Sequence, residues 1–348
     1  MLVADFDFHL PDELIAQAPP ATRGTSRLMV LDRATGKTTI STAAELPGWL
    51  RPGDVLVVND TRVFPARLIG RRVPSGGAVE CLLLGRLDAA RWDALVHPGQ
   101  KLKPGARFVC EGAGGRLEGE VLAKHRFGRR TVRLVAPEGG DLDAIIDTIG
   151  HVPLPPYIKR VDVESDRERY QTVYARQRGS VAAPTAGLHF TQAIFDALER
   201  RGVERASLTL HVGYGTFKPV RSETVEGHVV DREYFEIPGN AAARINAALD
   251  ERRRVVAVGT TTTRALETSA IEGAGRVVAG RGASDLFICP GFRFQVVGGL
   301  FTNFHVPRSS LLMLVSAFAG RERVLSAYAE AIEHRFRFYS YGDAMLVI

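Results

Sequence analysis

Cysteine is scarce in this sequence, and no long apolar run is present. The three cysteines, Cys81, Cys110 and Cys289, are widely spaced, form no C-x-x-C pair and have no histidine at metal-ligand spacing. We therefore expect buried free thiols, with neither disulfides nor a zinc site. The longest apolar run, residues 311–319, is about half as long as the ~20 residues of a membrane-spanning helix. This shortage predicts a protein without a membrane span.

The N-terminus also lacks the pattern of an export signal. Acidic residues, among them Asp5 and Asp7, occupy the place of the basic region and the apolar stretch that make up a signal peptide. We therefore expect the protein to stay in the cytoplasm.

Lysine is scarce as well, whereas arginine is abundant. Six of the 45 basic residues are Lys and 39 are Arg, and the 39 acidic residues leave a net charge of +6. A pI of about 9.4 is compatible with a polyanionic partner. An arginine bias can equally reflect genome composition, so charge alone leaves both interpretations open.

The amount and order of the predicted elements favour an α/β protein with an insertion. A chain of 348 residues with 45% hydrophobic and 24% charged residues is typical of globular proteins with two domains, or one large domain with an insertion. Residues 65–137 contain short, partly alternating strand candidates separated by SGG, KPG, GAGG and FG, which predict an antiparallel barrel or small sandwich. On the C-terminal side, a helix at 191–202 is followed by a strand, a helix capped by Asn240, and the apolar strand 255–259.

We therefore predict an α/β fold with a mixed, mostly parallel sheet and an inserted antiparallel β-barrel domain. The α/β catalytic domain is expected to comprise residues 1–64 and 148–348. The barrel is expected to comprise residues 65–147.

Two loop-like stretches combine glycine with isolated titratable groups where a pure core would be apolar. Residues 179–190 form a turn before a helix, and residues 208–220 follow a strand end. Ligands of α/β proteins bind at such strand ends, but a packed core histidine and a tight turn are the structural alternatives. The candidate ligand-facing residues are Thr185, His189, His211, Gly213 and Gly215.

A third stretch, residues 255–267, resembles a nucleotide site more closely. A buried strand passes through Gly259 into a helix that begins with threonines, so free backbone N–H groups and hydroxyls would converge on one point. It lacks the G-K-[ST] ending of a Walker loop, and plain helix capping is the structural alternative. The candidates here are Thr260, Thr261, Thr262 and Arg264.

The fourth candidate region joins residues 298–312 and 336–345. Each contributes polar groups within an otherwise apolar sequence, and turn or cap roles are the structural alternatives for each of them. The candidates are Asn303, His305, Tyr341 and Asp343.

Taken together, these strings resemble, in order, the motifs of the S-adenosylmethionine:tRNA ribosyltransferase-isomerase family. The matching strings include NDTRVFPARL (59–68), GHVPLPPYIKR (150–160), GSVAAPTAGLHF (179–190), TLHVGYGTF (209–217), VGTTTTRALE (258–267), TNFHVP (302–307) and FRFYSYGDAM (336–345). They cover nearly the whole chain. The resemblance implies an α/β domain carrying an inserted barrel, in agreement with the pattern.

The resemblance also implies the reaction. The ribosyl part of S-adenosylmethionine is transferred and isomerised onto 7-aminomethyl-7-deazaguanine at the tRNA wobble position, giving epoxyqueuosine while adenine and methionine leave. S-adenosylmethionine is a co-substrate, and no metal or bound prosthetic group is implied. The expected partner is tRNA carrying that base, without a membrane, and the expected state is a monomer.

Such chemistry needs at least one base and one acid, because a proton next to the sulfonium is removed and leaving atoms are protonated. The titratable residues in matched motifs are His189, His211, Glu233, His305 and Asp343. Which of them is the base stays open. Asp231 stands where the family often has His, so we exclude it.

We expect the S-adenosylmethionine pocket to be built by the start of the threonine helix together with Asn303, His305 and Asp343. The expected substrate-binding residues are Thr185, Gly213, Gly215, Thr260, Thr261, Thr262, Arg264, Asn303 and Tyr341.

A tRNA partner would explain the excess of basic over acidic residues, since Arg and Lys contact phosphates. The candidates on the barrel are Arg71, Arg72, Arg129 and Arg130, with a solvated strand face as the alternative.

Two other functions compete with the one that the resemblance implies. A non-catalytic RNA-binding barrel would leave the hydroxyl-rich loops without a purpose, and a methyltransferase would normally have a glycine-rich loop after its first strand, where this chain has threonines.

Overall fold

The computed structural model describes residues 1–218 and 220–348, which form a large mixed sheet and a closed barrel. The strands are β1 (Arg27–Leu31), β2 (Thr38–Thr42), β3 (Val55–Asn59), β4 (Thr61–Val63), β5 (Arg67–Val73), β6 (Ala78–Arg86), β7 (Arg91–His97), β8 (Arg107–Gly112), β9 (Gly115–Lys124), β10 (Arg129–Val135), β11 (Gln177–Ser180), β12 (Glu204–Leu210), β13 (Glu233–Ile237), β14 (Val255–Val258), β15 (Gly280–Ser284), β16 (Val297–Asn303) and β17 (Ala344–Val347). The helices are α1 (Leu46–Trp49), α2 (Leu142–Ile149), α3 (Asp166–Arg169), α4 (Gln192–Arg200), α5 (Gly239–Asp250), α6 (Thr260–Glu272), α7 (Ser310–Ala319) and α8 (Arg321–Glu333).

The large sheet has the order β15-β13-β12-β3-β14-β16-β17-β1-β2. Its four central strands, from β12 to β16 in that order, are parallel, and antiparallel pairs occur on both sides of them. Strands β3 and β14 are buried at every position. This explains why their sequences are apolar except for Asn59 at the end of β3, since a central parallel strand is covered on both faces. This confirms the predicted mixed sheet and its parallel centre, although over the whole sheet four of the eight strand pairs are antiparallel.

The carboxyl ends of the central strands lead into the regions singled out by sequence. After β14, Gly259 adopts a φ of +91° as the cap residue of α6, a left-handed conformation that glycine adopts without strain. Helix α4 begins behind Thr191, whose hydroxyl accepts the N–H of Ile194 at 3.2 Å, as predicted. Helix α5 differs from the prediction, because Pro238 is its cap residue and Asn240 already lies inside it.

Between β5 and β10 the chain forms a closed antiparallel barrel of six strands in the order β10-β7-β6-β5-β8-β9. Burial alternates along its strands, most clearly in β7, because side chains of a closed sheet point alternately inward and outward. Cys81 and Cys110 are buried in its core, and Cys289 of the α/β part is partly buried; all three are free. The inserted barrel of the prediction is confirmed.

The two ends of the barrel differ in their surroundings. At the near end, β5 begins beside the α/β part, where Arg67 pairs with His151, and α2 packs against β8 and β9. At the far end lie the β5–β6, β7–β8 and β9–β10 connections. Among the helices of the described residues, none is long and apolar enough to cross a bilayer.

Candidate active site

A cavity of about 640 Å³ lies at the carboxyl edge of the parallel strands β14 and β16. Residues at the start of α6, after β16, in the turn around Pro184 and in the N-terminal segment form its wall. Ligands of open α/β sheets bind at this edge. Five of the predicted site residues line the cavity: Thr185, Thr260, Thr261, Asn303 and His305.

The start of α6 presents free donors to this cavity. Thr263 is the first residue whose N–H bonds back along the chain, to the carbonyl of Gly259 at 3.2 Å. The preceding amides at 260–262 have no acceptor in the part of the chain that the structure describes. Because helix N-termini carry a partial positive charge, this 13-residue helix favours an anionic or hydrogen-bond-accepting ligand group here.

Thr262 differs from its two neighbours. Its hydroxyl is buried and donates to the carbonyl of Val258 at 2.7 Å, so it stabilises the strand-to-helix turn. It does not line the cavity. Of these three threonines, Thr260 and Thr261 line the cavity, and the predicted role of Thr262 in the wall is not supported by its position.

Asn303, at the end of β16, holds an acceptor without a partner. Its Nδ2 donates to the carbonyl of Tyr339 at 3.0 Å and lies 3.1 Å from Nε2 of His189. Both contacts use the amide nitrogen, so Oδ1 is left buried and unpartnered among the described residues. A buried acceptor without a donor costs about 1–3 kcal/mol. Asn303 is therefore a residue whose hydrogen bonding a bound molecule would complete.

His189 supports Asn303 from behind and is not part of the cavity wall. Burial lowers its pKa to about 4, although the charge of Asp343 acts in the opposite direction. The imidazole is therefore neutral at physiological pH. A neutral Nε2 can accept the amide proton of Asn303, which fixes the orientation of that side chain.

His305 lines the cavity as a neutral imidazole. Its Nε2 lies 2.9 Å from the hydroxyl of Thr302, and its backbone N–H donates to the Tyr328 hydroxyl at 3.0 Å. Burial lowers its pKa to about 3. Such a group is a weak proton acceptor at neutral pH, but it can form directional hydrogen bonds.

Glu233 and Arg264 form a buried ion pair beside the cavity and do not line it. Oε2 of Glu233 lies 2.5 Å from the Arg264 guanidinium, and Oε1 accepts the N–H of Gly213 at 3.1 Å. Burial raises the pKa of Glu233, and the positive charge of Arg264 opposes that shift. The pair ties the segment after β12 to α6, one turn beyond the threonines. Gly213 thus contacts the ion pair, and a Cβ at Gly215 would lie 2.4 Å from Oδ2 of Asp231.

His211 lies at the end of β12, outside the cavity wall. Its Nδ1 is 2.8 Å from the hydroxyl of Thr61, and burial lowers its pKa. A Cβ added to Gly179 would lie 2.7 Å from its Cε1, so the glycine gives space to the ring. These contacts join β12 to the β4–β11 region and describe a packed histidine.

Asp343 and Tyr341 are also held in structural networks outside the wall. Asp343 accepts the N–H of Arg27 at 3.0 Å, the Arg27 guanidinium at 3.0 Å and the N–H of Arg337 at 2.8 Å. The Tyr341 hydroxyl donates to Asp166 at 3.0 Å. The expected pocket of α6, Asn303, His305 and Asp343 therefore forms without Asp343.

Comparison with known proteins identifies the family. Residues 3–347 match the family described as queuosine biosynthesis protein. The chain belongs to this family. A protein of Heliobacterium modesticaldum is 53% identical over 100% of both chains, and one of Syntrophotalea carbinolica is 50% identical over 100% of both; each is named S-adenosylmethionine:tRNA ribosyltransferase-isomerase. The crystal structure of the S-adenosylmethionine tRNA ribosyltransferase of Thermotoga maritima is 36% identical, covers 99% of this chain and 100% of its own, and has a TM-score of 0.55.

Several wall residues are not among the predicted site residues. The exposed His9 and Asp12 line the cavity from the N-terminal segment, and the stacked rings of Tyr157 and Tyr339, with centroids 3.8 Å apart, line it from another side. The alternating FDFHL string, with Phe6 buried, was the available signal that this segment packs against the core. In the described residues, no group of three or more His, Cys, Asp or Glu side chains could hold a metal ion.

The four arginines predicted for tRNA lie at the far end of the barrel but on opposite walls. Arg71 and Arg72 end β5, and Arg129 and Arg130 begin β10, three strands away in either direction. Arg129 is exposed and pairs with Asp93. Arg130 is only 3% exposed, and its guanidinium donates to the carbonyls of Gly99, Leu102, Gly128 and Arg129 at 3.0–3.2 Å. Arg130 therefore stabilises the barrel and is unsuited to contact phosphate.

Proposed function

We propose that this protein transfers and isomerises the ribosyl moiety of S-adenosylmethionine onto 7-aminomethyl-7-deazaguanine at the tRNA wobble position. The products are epoxyqueuosine-tRNA, adenine and methionine. The full-length match to relatives of about 50% identity that carry the enzyme's name is the observation that supports this function. We also propose that the reaction takes place in the cytoplasm on a monomer, with residues 1–64 and 148–348 as the catalytic domain and 65–147 as the inserted domain.

The cavity at the start of α6 is the proposed S-adenosylmethionine site. Its volume of about 640 Å³ falls within the ~300–1,000 Å³ of small-molecule sites. The free N–H groups of the helix start would bind the carboxylate of the methionine part. Oδ1 of Asn303 would accept a hydrogen bond from an N–H or O–H group of the substrate.

The sulfonium cation needs a different environment. The rings of Tyr157 and Tyr339 line the cavity, and an aromatic face attracts a cation by about 0.5–2 kcal/mol. We place the sulfonium near this pair. The carbon chain of the methionine part then spans the distance from the helix start to the tyrosines, and the ribosyl part extends from the sulfonium away from the helix start.

Removal of the proton next to the sulfonium needs a base within reach of the cavity. His305 has a pKa of about 3 and is therefore assigned to hydrogen bonding of the ribosyl or adenine part. His9 and Asp12 are the exposed titratable residues on the N-terminal side of the wall. We propose that one of these two accepts the proton, and that His189, His211, Glu233 and Asp343 act as positioning residues.

Product analysis tests the proposed function. The purified protein should release adenine and methionine from S-adenosylmethionine when tRNA carrying 7-aminomethyl-7-deazaguanine is present. The control is the same tRNA with unmodified guanine, which should give no release. Equal release with both tRNAs, or formation of S-adenosylhomocysteine, would contradict ribosyl transfer; the latter product would identify a methyltransferase.

A further inference from the structure

The far end of the barrel carries a concentration of positive charge. Three segments meet there: 71–78, 97–107 and 122–131. Together they contain nine Lys and Arg residues and no Asp or Glu. All of the nine except Arg130 are at least partly exposed. Antiparallel pairing therefore gathers cations that are up to 58 residues apart in sequence, Arg71 and Arg129, on one surface, which we call the far-end surface.

Most of these cations have no internal counterion. Arg71 lies 3.5 Å from Glu111, and Arg129 pairs with Asp93. Within residues 1–218 and 220–348, the other six exposed or partly exposed cations form no ion pair; they are Arg72, Lys101, Lys103, Arg107, Lys124 and Arg126. Unpaired cations at this density repel one another, so a polyanion would bind here with the release of its own counterions.

The near end of the same barrel provides an internal comparison. Its segments 86–91, 111–116 and 135–143 contain three Arg and five acidic residues. All three arginines form ion pairs: Arg86 with Asp143 at 2.6 Å, Arg91 with Asp88 at 2.5 Å and Arg116 with Glu111 at 2.9 Å. A general arginine bias would affect both ends alike. The absence of acidic residues from the far-end segments is therefore specific to that end.

An aromatic side chain projects from the far-end surface. Phe127 lies in the β9–β10 connection, is 83% exposed and adopts a φ of +55°. A left-handed backbone is unfavourable for a bulky residue, and its exposed ring gains no burial in return. Lys124, Arg126 and Phe127 line a groove of about 1070 Å³ along the adjoining wall. Aromatic rings flanked by cations stack on unpaired bases of single-stranded nucleic acid, which contributes about 1–3 kcal/mol per base.

We propose that the far-end surface binds tRNA outside the anticodon stem-loop, with its cations on phosphates and Phe127 stacked on an unpaired base. This inference rests on the proposed function for the identity of the RNA. The seven residues of β5 separate this surface from the near end by about 20 Å, at ~3.3 Å per residue. No barrel strand contributes to the wall of the α/β cavity. A tRNA whose wobble base occupies that cavity would therefore meet the far-end surface with a different part of its structure.

Direct binding measurements test this surface without depending on catalysis. We would measure Kd for full-length tRNA and for its anticodon stem-loop at several salt concentrations, using the variant K101A/K103A/K124A/R126A. The matched control is R86A/R116A at the near end. We expect Kd for full-length tRNA to rise at least tenfold and the slope of log Kd against log salt to fall by about one per lost phosphate contact. The control should bind as the wild type does.

Phe127 is tested separately, because stacking is not ionic. We expect F127A to weaken binding of full-length tRNA about fivefold or more without changing the salt slope, and F127W to restore it. An unchanged Kd for the quadruple variant would overturn the surface, and equal weakening with the stem-loop would overturn its contact outside the anticodon stem-loop. Failure of the wild-type protein to release adenine would contradict the proposed function alone. Melting curves check that each variant is folded.

Discussion

The cavity of the α/β domain and the far end of the barrel present their polar groups in opposite ways. In the cavity, Asn303 and His305 are buried, uncharged and held in place by neighbouring hydrogen bonds. At the far end, Lys101, Lys103 and Arg126 are exposed. The first arrangement recognises a small molecule by direction and distance, whereas the second attracts a polyanion with little demand on geometry. The chain thus combines a site whose geometry suits a small molecule with a surface whose charge suits a polyanion.

The largest effect is expected from the cavity. Replacing Asn303 by Ala removes the unpartnered Oδ1 and the donor to His189, so kcat/KM for S-adenosylmethionine should fall about 100-fold or more, as for other preorganised polar groups. The measurement is adenine release at limiting S-adenosylmethionine. Asn246→Ala is the matched control, because its amide also bridges two backbone groups, those of Val277, but lies outside the cavity wall. Similar losses in both variants would show that Asn303 acts only on stability.

Replacing Asp343 should lower stability and leave activity nearly unchanged, the reverse of what we expect for Asn303. Its carboxylate accepts three hydrogen bonds that join the start of β1 to the segment before β17. Asp343→Asn should therefore lower the free energy of unfolding by about 2–3 kcal/mol, since bonds to a charged group are lost. Activity at low temperature should stay within about threefold of the wild type. A variant of normal melting temperature with a 100-fold lower kcat would instead identify Asp343 as a catalytic residue.

The sequence allowed the layers of the fold to be predicted better than the wall of the cavity. Strand β14 and the start of α6 were predictable because an apolar run, a glycine and a hydroxyl-rich helix start are local signals. Thr260 and Thr261 line the cavity whereas Thr262 does not. This difference depends on how α6 is oriented against the sheet, which no local signal specifies. Motif matching likewise selected Asp343 and could not show that its partners, Arg27 and Arg337, already occupy it.

His9 and Asp12 could not be assigned from sequence, whereas the burial of Arg130 could have been. His9 and Asp12 reach the cavity only because the N-terminal segment crosses the sheet edge. There it meets β16, whose residues are 285–294 positions away in sequence. Arg130 stands beside the exposed Arg129 in an alternating strand, so one of the two had to point inward. The apolar residues Val132 and Leu134 place the even-numbered positions of β10 inward, so the alternation itself indicates that Arg130 is the buried one.

The buried histidines also predict that the stability of the folded protein depends on pH. Burial lowers the pKa values of His189 and His305 to about 4 and about 3, below the ordinary 6.5. The unfolded chain then binds more protons than the native protein between pH 6.5 and 4, so stability falls as pH drops through that range. Each histidine should cost about 2 kcal/mol at pH 5 relative to pH 7.5.

Urea unfolding at pH 7.5 and pH 5 measures this difference. His305→Asn should reduce the difference between the two pH values by about 2 kcal/mol, even if the variant is less stable at both. His125→Asn, an exposed far-end histidine, is the control and should leave the difference unchanged. An equally large difference in the His305 variant would contradict the assignment of a buried neutral imidazole.

The smallest effect concerns two adjacent arginines, which allow charge to be separated from structure at the far end. Arg129 is exposed, so Arg129→Ala should raise Kd for tRNA about two- to threefold and lower the salt slope by up to one, with normal stability. Arg130 is buried and its guanidinium binds four carbonyls, so Arg130→Ala should lower the melting temperature while the salt slope stays that of the wild type. Anisotropy titrations at two salt concentrations and thermal melts distinguish the pair. If Arg130→Ala instead lowers the slope in a fully folded protein, its guanidinium is accessible to phosphate, and the division between exposed contact and internal support would have to be redrawn.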